Sequence, residues 1–228
     1  MEMGNCILTI LFADIANSTG LYATLGNQDA RALVGECVSI FSRMTLDHKG
    51  TVIKTIGDGI MSTFPEADFA VEAAIAMNRN LIQLPPRSGN RSNPPNIYVG
   101  IQAGPVILED SDVFGDAVNV AAHLVSIAKQ RQIITTEETV NSLSPHLKEV
   151  ARLVDKATLK GKNGEFRIYE IMWEQKEQTI TSDITPDSLW YETRLELRFR
   201  DKQIELGRAR PAIAIGRQSH NDLIVDDI

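Results

Sequence analysis

The sequence lacks the features that would tie the protein to a membrane, an oxidising compartment or a nucleic acid. No apolar run approaches the roughly 18 residues of a membrane-spanning helix, and the short apolar stretch after Met1 contains Asp14, which is atypical of a signal peptide. The two cysteines, Cys6 and Cys37, lie inside apolar segments and are expected to be core thiols in a reducing compartment. The net charge of −7 offers no broad basic surface for nucleic acid. We therefore expect a cytoplasmic protein that binds neither membranes nor nucleic acids.

The 228 residues provide for one full domain and part of a second. The polar, non-periodic stretch 174–190 is expected to be a linker between a domain at 1–173 and a segment at 191–228. In that segment the alternation over 195–199, 203–206 and 212–215 predicts short strands of an all-β module. About 35 residues cannot close a β-sandwich, so we expect this module to be truncated within the sequence.

The most informative stretch, TVIKTIGDGIMSTF at 51–64, is predicted to form a β-hairpin around an Asp-Gly turn. Its Asp58 could be present only because turns favour aspartate. A second apolar run, 7–13, is typical of a strand covered on both faces, and it ends at Asp14, which could simply cap the following helix. A buried strand and a hairpin that present two carboxylates side by side can also hold divalent cations over a phosphate chain.

The remaining periodicity predicts an α/β (α+β) sandwich. Helices are expected at 21–48, broken near Gly26 and ended by Gly50, and at 66–84, while 112–128 is expected to be a turn followed by a helix. The other predicted elements are a loop at 85–96, strands at 97–106, 132–135, 150–159 and 166–173, and a helix at 136–143. This order predicts helices on one face of a mixed sheet with the first strand central, so that Asp14 and Asp58 converge at one edge.

Four separated motifs, FADIANST, TVIKTIGDGIMSTF, GDAVNVAAHL and LKGKNGEFRIYEI, resemble in order and spacing those of the class III nucleotide cyclase catalytic domain. The resemblance covers about residues 7–173. It implies a ferredoxin-like βαββαβ sandwich and a head-to-tail homodimer whose two equivalent active sites lie between the subunits. It also implies an adenylate cyclase that converts ATP to 3′,5′-cyclic AMP and diphosphate, with two Mg²⁺ (or Mn²⁺) ions per site.

The same resemblance implies roles for individual residues. Asp14 and Asp58 match the two metal-binding aspartates, and Ile15 contributes its carbonyl to the metals. Asn17, Ser18 and Thr19 match a turn that wraps the phosphates, and Lys160 matches a lysine that contacts the terminal phosphates. Lys54 and Asp112 match the pair that reads the purine, and Asn119 matches the group that orients the ribose.

The purine-reading pair favours ATP. Lys54 can donate a hydrogen bond to adenine N1 while Asp112 accepts one from the 6-amino group, and guanine presents the opposite donor and acceptor pattern at those atoms. Without the motif, Lys54 would be interpreted as a solvated lysine on a strand. Guanylate cyclase activity is the corresponding substrate alternative.

His123 departs from the family pattern, which has a transition-state arginine one helical turn after Asn119. Arginine is always charged and can fork across two oxygens, whereas histidine has an ordinary pKa of ~6.5. Arginines in comparable phosphoryl transfers supply roughly 10³–10⁵ in rate. We therefore expect a weak enzyme, unless a nearby cation such as Lys129 or Arg131 compensates.

Two alternatives stay open at this stage. The first is a catalytically degenerate domain that dimerises, binds nucleotide and acts in signalling. The second is a palm-type enzyme, such as a diguanylate cyclase or a polymerase, although the hairpin IGDGI lacks the acidic tail of the diguanylate cyclase motif.

The C-terminal segment has a resemblance of its own. The residues AIGR at 214–217, followed by SHNDL at 219–223, resemble the opening of a forkhead-associated (FHA) domain. In that family the arginine after the glycine, here Arg217, helps to bind phosphothreonine peptides. The segment that should carry the other binding residues is missing, so no working phosphopeptide site is expected within these 228 residues, and the alternative is an ordinary strand ending in a Gly-Arg turn.

Overall fold

In the computed structural model, the apolar run near the N terminus forms strand β1 (Gly4–Ile15) in the interior of a mixed sheet. The predicted hairpin follows as β2 (Thr51–Ile56) and β3 (Gly59–Phe64). Strand β1 pairs antiparallel with β3 on one side and with β4 (Ile97–Glu109) on the other. The expectation that the first strand lies beside the hairpin is therefore confirmed.

The structure describes residues 4–85, 94–158, 165–174, 195–199, 202–206, 213–216, 221 and 223–224. The chain divides into two units, Met1–Gln175 and Lys176–Ile228. In the first unit the strand order is β2-β3-β1-β4-β6-β8-β7, with β5 paired to β4, and the pairing is parallel only between β4 and β6. The further strands are β5 (Asp112–Phe114), β6 (Ile133–Thr136), β7 (Ala151–Thr158) and β8 (Glu165–Ile171).

Helices cover both faces of this sheet, so the prediction that they share one face was wrong. Alternate residues of β1, such as Leu11 and Ala13, join the core formed by α1 (Ser18–Asp47) and α2 (Ala67–Ile82). The intervening residue Ile10 instead joins a core with α3 (Asp116–Ile127). Because successive side chains of a strand point to opposite faces, α3 lies on the face opposite α1 and α2.

Two glycines of β4 provide the surface on which α3 rests. A Cβ placed on Gly100 would lie 2.5 Å from the backbone nitrogen of Val125 and 2.6 Å from the carbonyl oxygen of Ala121. A Cβ on Gly104 would lie 3.1 Å from the Cβ of Ala117. At Gly100 the backbone of α3 therefore approaches the backbone of the strand directly, which only glycine permits, and at Gly104 the strand contacts the small side chain of Ala117.

Smaller differences concern the ends of elements. The predicted break in α1 is confirmed at Gly26, with φ 78° and ψ 169°. Lys49, not the predicted Gly50, takes the left-handed conformation after α1, with φ 60°. Gly50 is needed for a different reason, since a Cβ there would lie 2.4 Å from the ring of Phe64. Sequence periodicity did not reveal the three-residue β5 or the one-turn helix α5 (Pro145–Lys148), whereas the predicted helix at 136–143 is observed as α4 (Glu137–Ser142).

The second unit contains a hairpin of β9 (Leu195–Phe199) and β10 (Lys202–Leu206), close to the predicted strands. Two short strands follow, β11 (Ile215–Gly216) and β12 (Leu223–Ile224), which pair in parallel. The strand predicted at 212–215 is thus shifted toward Gly216. In the part of the chain that the structure describes, no helix is long and apolar enough to cross a membrane.

Candidate active site

The two aspartates singled out by the sequence meet at one end of the sheet. Asp14 lies near the end of β1 and Asp58 lies in the turn between β2 and β3, whose return strand pairs Ile60 with Ala13. The two carboxyl groups are close enough for the charge of Asp58 to raise the pKa of Asp14. The prediction that strand order brings these side chains together is confirmed.

The turn that carries Asp58 is shaped by two glycines with different functions. Gly57 has φ 61°, and a Cβ there would contact nothing within 4 Å, so it serves the turn conformation alone. Gly59 permits a close approach, because a Cβ there would lie 2.4 Å from the carbonyl oxygen of Ala13 and 2.9 Å from Asp14 Oδ1. The sequence analysis explains Gly59 only as part of the Asp-Gly turn and misses that it lets the hairpin approach Asp14.

The electrostatics of the pair are unfavourable without a cation. Burial, followed by the charge of Asp58, raises the pKa of Asp14 to about 6, although the Ile15 amide donates to this carboxylate and opposes the shift. Oδ2 of Asp58 is buried and has no hydrogen-bond partner among the described residues. A buried oxygen with no donor is costly, and a divalent cation is a group that could satisfy it.

Among the described residues, no group of three or more His, Cys, Asp or Glu side chains could hold a metal ion. Further ligands would therefore be backbone or substrate oxygens, and the Ile15 carbonyl lies next in the chain to Asp14. Tyr98 is directly opposite Asp14 in the β1–β4 register, so the two side chains share a face. The sequence interpretation did not name Tyr98, although the register of two predicted strands would have identified it.

Asn17, Ser18 and Thr19 form the entry to α1 immediately after β1. Asn17 is in the left-handed region with φ 54° and makes no side-chain cap to the helix, which begins at Ser18. Its carbonyl accepts a hydrogen bond from the amide of Gly20 at 2.9 Å. The predicted turn is therefore present next to Asp14, and its first helical amides are not capped by the Asn17 side chain.

Lys54 and Asp112, 58 residues apart, are brought into direct contact. Lys54 Nζ donates to Asp112 Oδ1 at 2.8 Å and to Oδ2 at 2.6 Å, and the backbone N–H of Val113 also donates to Oδ1. The hydrogen bond from Lys54 is the main cause of a lowered pKa for Asp112. Both side chains are partly exposed, at 43% and 33%, so a ligand can reach them.

Asn119 and His123 lie one turn apart on α3. The buried residues of this helix are Ala117, Val120, Ala121 and Leu124, whereas Asn119 is exposed and His123 is half-buried. Arg131, suggested as a compensating cation for His123, has its guanidinium paired with Glu174 and over the ring of Trp173. Lys129 is exposed. Lys160 and Arg217, two further predicted contacts, lie outside the described residues.

The family model of the adenylate and guanylate cyclase catalytic domain matches residues 3–173. The chain therefore belongs to the adenylate and guanylate cyclase catalytic domain family. This assignment favours the cyclase interpretation over the diguanylate cyclase and polymerase alternatives.

Similar proteins support the same family. The chain is 31% identical over 209 residues to the adenylate cyclase, terminal-differentiation specific, of Dictyostelium discoideum, with 83% of this chain and 10% of that protein covered. It is 31% identical over 182 residues to an adenylate cyclase of Anabaena cylindrica, with 72% and 36% covered. The chain thus spans about a tenth and about a third of the length of these relatives.

Among solved structures, the fold is similar to the catalytic core of a rhodopsin-guanylyl cyclase with converted specificity in complex with ATPαS. The TM-score is 0.66 and the identity 25%, with 75% of this chain and 98% of that chain covered. The adenylyl cyclase CyaB from P. aeruginosa has the same fold, with a TM-score of 0.62, 24% identity, and 75% and 96% covered. The mixed α/β sheet is therefore the fold of a cyclase catalytic domain.

Proposed function

We propose that this chain is an adenylate cyclase that converts ATP to 3′,5′-cyclic AMP and diphosphate, with two divalent cations, Mg²⁺ or Mn²⁺, in each site. The observation that carries the proposal is the pair formed by Asp14 and Asp58, in which one carboxylate oxygen is buried without a donor. Two adjacent carboxylates that repel each other are a poor structural element, and they become favourable when they share cations. The family membership supports a nucleotide as the ligand.

The residues present fit the proposed cations. Asp14 and Asp58 would hold them, with the carbonyl of Ile15, and hard carboxylate and carbonyl oxygens are the ligands that Mg²⁺ prefers. The cations would lower the pKa of the ribose 3′-hydroxyl and neutralise charge on the triphosphate. The chain itself contributes position: the turn at 17–19 would face the phosphates, and Lys160 would contact the terminal ones.

Lys54 and Asp112 would select the base. In the structure Lys54 uses two of its three N–H groups on Asp112, which leaves one donor for adenine N1, and Asp112 retains acceptor capacity for the 6-amino group. Guanine would place an N–H against the ammonium and a carbonyl against the carboxylate at the same positions. The pair therefore supports ATP as the preferred substrate.

The proposed site is completed by a second copy of the chain. Asn119 would orient the ribose, but it is on the exposed side of α3, away from the sheet that carries Asp14 and Asp58. A head-to-tail homodimer would bring Asn119 and His123 of one subunit to the carboxylates of the other. Such a closed twofold arrangement gives two equivalent sites.

The rate should be low because His123 stands at the arginine position. The guanidinium of Arg131, which follows α3 in the chain, already contacts Glu174 and Trp173, so it does not replace the missing arginine in this proposal. This observation also favours a second candidate function, a dimerising nucleotide-binding domain that signals without turnover.

Incubation of the protein with ATP and Mg²⁺ or Mn²⁺ tests the proposal through the appearance of cyclic AMP. The control is Asp58→Asn, which keeps the size of the side chain and removes its charge. Metal-dependent product from the wild-type chain alone supports the enzyme. Nucleotide binding without product would instead support the signalling domain.

Mixing two inactive variants tests whether the site is shared. Dimers that combine one Asp58→Asn subunit with one Asn119→Ala subunit would contain one intact site of two, so random exchange should restore about one quarter of wild-type activity. No recovery from well-exchanged subunits would show that each site is built by a single chain.

We also propose that the second unit begins an FHA-like β-sandwich with Arg217 in its phosphothreonine site. The support is the sequence resemblance at 214–223, together with the close approach of Asn221 to Gly216, where a Cβ would lie 2.7 Å from the side-chain nitrogen of Asn221. A chimaera that joins residues 191–228 to the remaining strands of a known FHA domain should bind a phosphothreonine peptide, and Arg217→Ala should abolish this binding. Equal binding of the unphosphorylated peptide would contradict the proposal.

A further inference from the structure

Arg131 is held in a left-handed backbone conformation by contacts at the end of the catalytic unit. Its φ of 68° is rare for a residue other than glycine and persists only where neighbouring contacts outweigh the strain. Its N–H donates to the carbonyl of Ile97 at 2.8 Å, and its own carbonyl accepts from Trp173 Nε1 at 2.8 Å. Its guanidinium pairs with Glu174 and lies 5.3 Å from the centroid of the Trp173 ring. The backbone donor, the backbone acceptor and the side-chain charge of Arg131 are therefore all engaged.

The same turn is bonded to the strand ends that carry the candidate metal ligands. Ile97, which accepts from Arg131, is the first residue of β4 and pairs with Ile15, the last residue of β1. The amide of Ala16 donates to the carbonyl of Asn96 at 2.8 Å, and the side chain of Asn96 donates to that of Gln130 at 3.1 Å. A continuous set of hydrogen bonds therefore links the Arg131 turn to the backbone that follows Asp14.

We infer that Arg131 and Trp173 are positioning residues for the proposed cyclase reaction, an inference that rests on the proposed function. They hold the first residues of β4, and through them the Ile15 carbonyl and the turn at 17–19, in the place that cations and phosphates require. Trp173 and Glu174 lie close to the C-terminal end of the catalytic unit, Met1–Gln175. Loss of the contact between Trp173 and Arg131 would therefore lower the affinity of the site for metal.

The variants must separate this effect from simple destabilisation, because Trp173 also packs against the main core. Trp173→Phe keeps an aromatic ring under the guanidinium and removes the N–H that bonds the Arg131 carbonyl. Glu174→Gln removes only a charge. Arg167→Gln is the matched control, because it breaks another Arg–Glu pair, Arg167 Nη1 to Glu137 Oε1 at 2.9 Å, which joins β8 to α4 and shares no residue with the Arg131 turn.

Hydrogen exchange of residues 14–19 in the full chain gives a readout that does not depend on turnover. Loss of the Trp173 or Glu174 contact should accelerate exchange there by about threefold to tenfold, while Arg167→Gln should leave it unchanged. The Mg²⁺ concentration for half-maximal activity should rise by a similar factor, with kcat at saturating Mg²⁺ within about twofold of wild type. Arg131→Gln should raise the Mg²⁺ requirement, and Arg131→Lys, which retains a charge for Glu174, should raise it less.

Two results would overturn the inference. One is unchanged exchange at 14–19 in Trp173→Phe and Glu174→Gln proteins that remain folded. The other is a fall in kcat with no change in the metal requirement, which would indicate a general structural role. If the wild-type chain makes no cyclic AMP, the proposed function fails, and the exchange measurement still decides whether the Arg131 turn holds the metal-bearing strand.

Discussion

Lys54 Nζ contacts both carboxylate oxygens of Asp112, at 2.6 and 2.8 Å, across 58 residues of chain. The pair is partly exposed, so it contributes little to stability and is accessible to the adenine base that we propose it recognises. Its donor and acceptor stand side by side, as the edge of adenine requires. This relationship leads to the first prediction.

Lys54→Ala should reduce the preference for ATP over GTP by about tenfold or more, because a donor that matches adenine N1 is lost. Competition between the two nucleotides, with both cyclic products measured, gives the ratio directly. The melting temperature should hardly change, in line with the exposure of the pair. An unaltered nucleotide preference would mean that other residues read the base.

The second prediction concerns pH and the metal-free protein. The folded-state pKa of Asp14 is about 6, above its ordinary 3.8, so the folded chain retains a proton that the unfolded chain has released between these values. The free energy of unfolding should therefore fall as pH rises through this window and stay low above it. Asp14→Asn should remove the fall, which we expect to be on the order of 1 kcal/mol after allowance for solvent screening.

Chemical denaturation from pH 4 to 8 in a chelator measures this effect, and Asp29→Asn, an exposed change on α1, is the control. Mg²⁺ should restore the stability of the wild-type chain at pH 7 and above, but not that of Asp14→Asn. A wild-type profile with no decline, or one that rises over this range, would contradict the assigned environment of Asp14.

The third prediction is a gain of activity. His123→Arg should raise kcat by about tenfold or more, since a guanidinium is charged at every relevant pH and can contact two phosphate oxygens. His123→Gln provides a comparison of similar size without a charge. If His123→Arg gives no increase, another residue of the dimer already supplies the positive charge.

The fourth prediction separates the two glycines of the hairpin turn. Gly59→Ala should cost about 2 kcal/mol and abolish activity, because the added methyl group would lie 2.4 Å from the Ala13 carbonyl and 2.9 Å from Asp14 Oδ1. Gly57→Ala should cost about 1 kcal/mol through its positive φ and leave much of the activity intact, since its Cβ meets nothing. Equal losses of activity would show that the turn conformation, and not the approach to Asp14, is what matters.

Local patterns predicted the features that depend on local chemistry. The Asp-Gly turn defined the hairpin, and the alternation of β1 with the order of the strands was enough to place Asp14 beside Asp58. The face occupied by α3 could not be predicted from periodicity, because an amphipathic helix indicates that it is buried and not which side of a sheet it covers. The relevant signal was in another element, at Gly100 and Gly104 of β4.

The Arg131 turn was missed for a similar reason. Its left-handed conformation depends on Trp173, 42 residues later in the chain, and on Ile97, so no short window of sequence contains the cause. The sequence suggests Arg131 as a cation near His123, whereas in the structure its guanidinium contacts Glu174 and Trp173. Local propensity cannot report a contact that exists only after distant segments have packed.

The packing of α3 on Gly100 and Gly104 limits which amino-acid substitutions can move this helix. At Gly100 the backbone of the strand meets the backbone of the helix, so the distance between α3 and the sheet cannot be changed there by exchanging one aliphatic side chain for another. Substitutions in the core beneath α1 and α2 can shift those helices, whereas α3 would keep its distance from the sheet as long as both glycines remain. The distance of Asn119 and His123 from the sheet therefore depends little on substitutions elsewhere in the core.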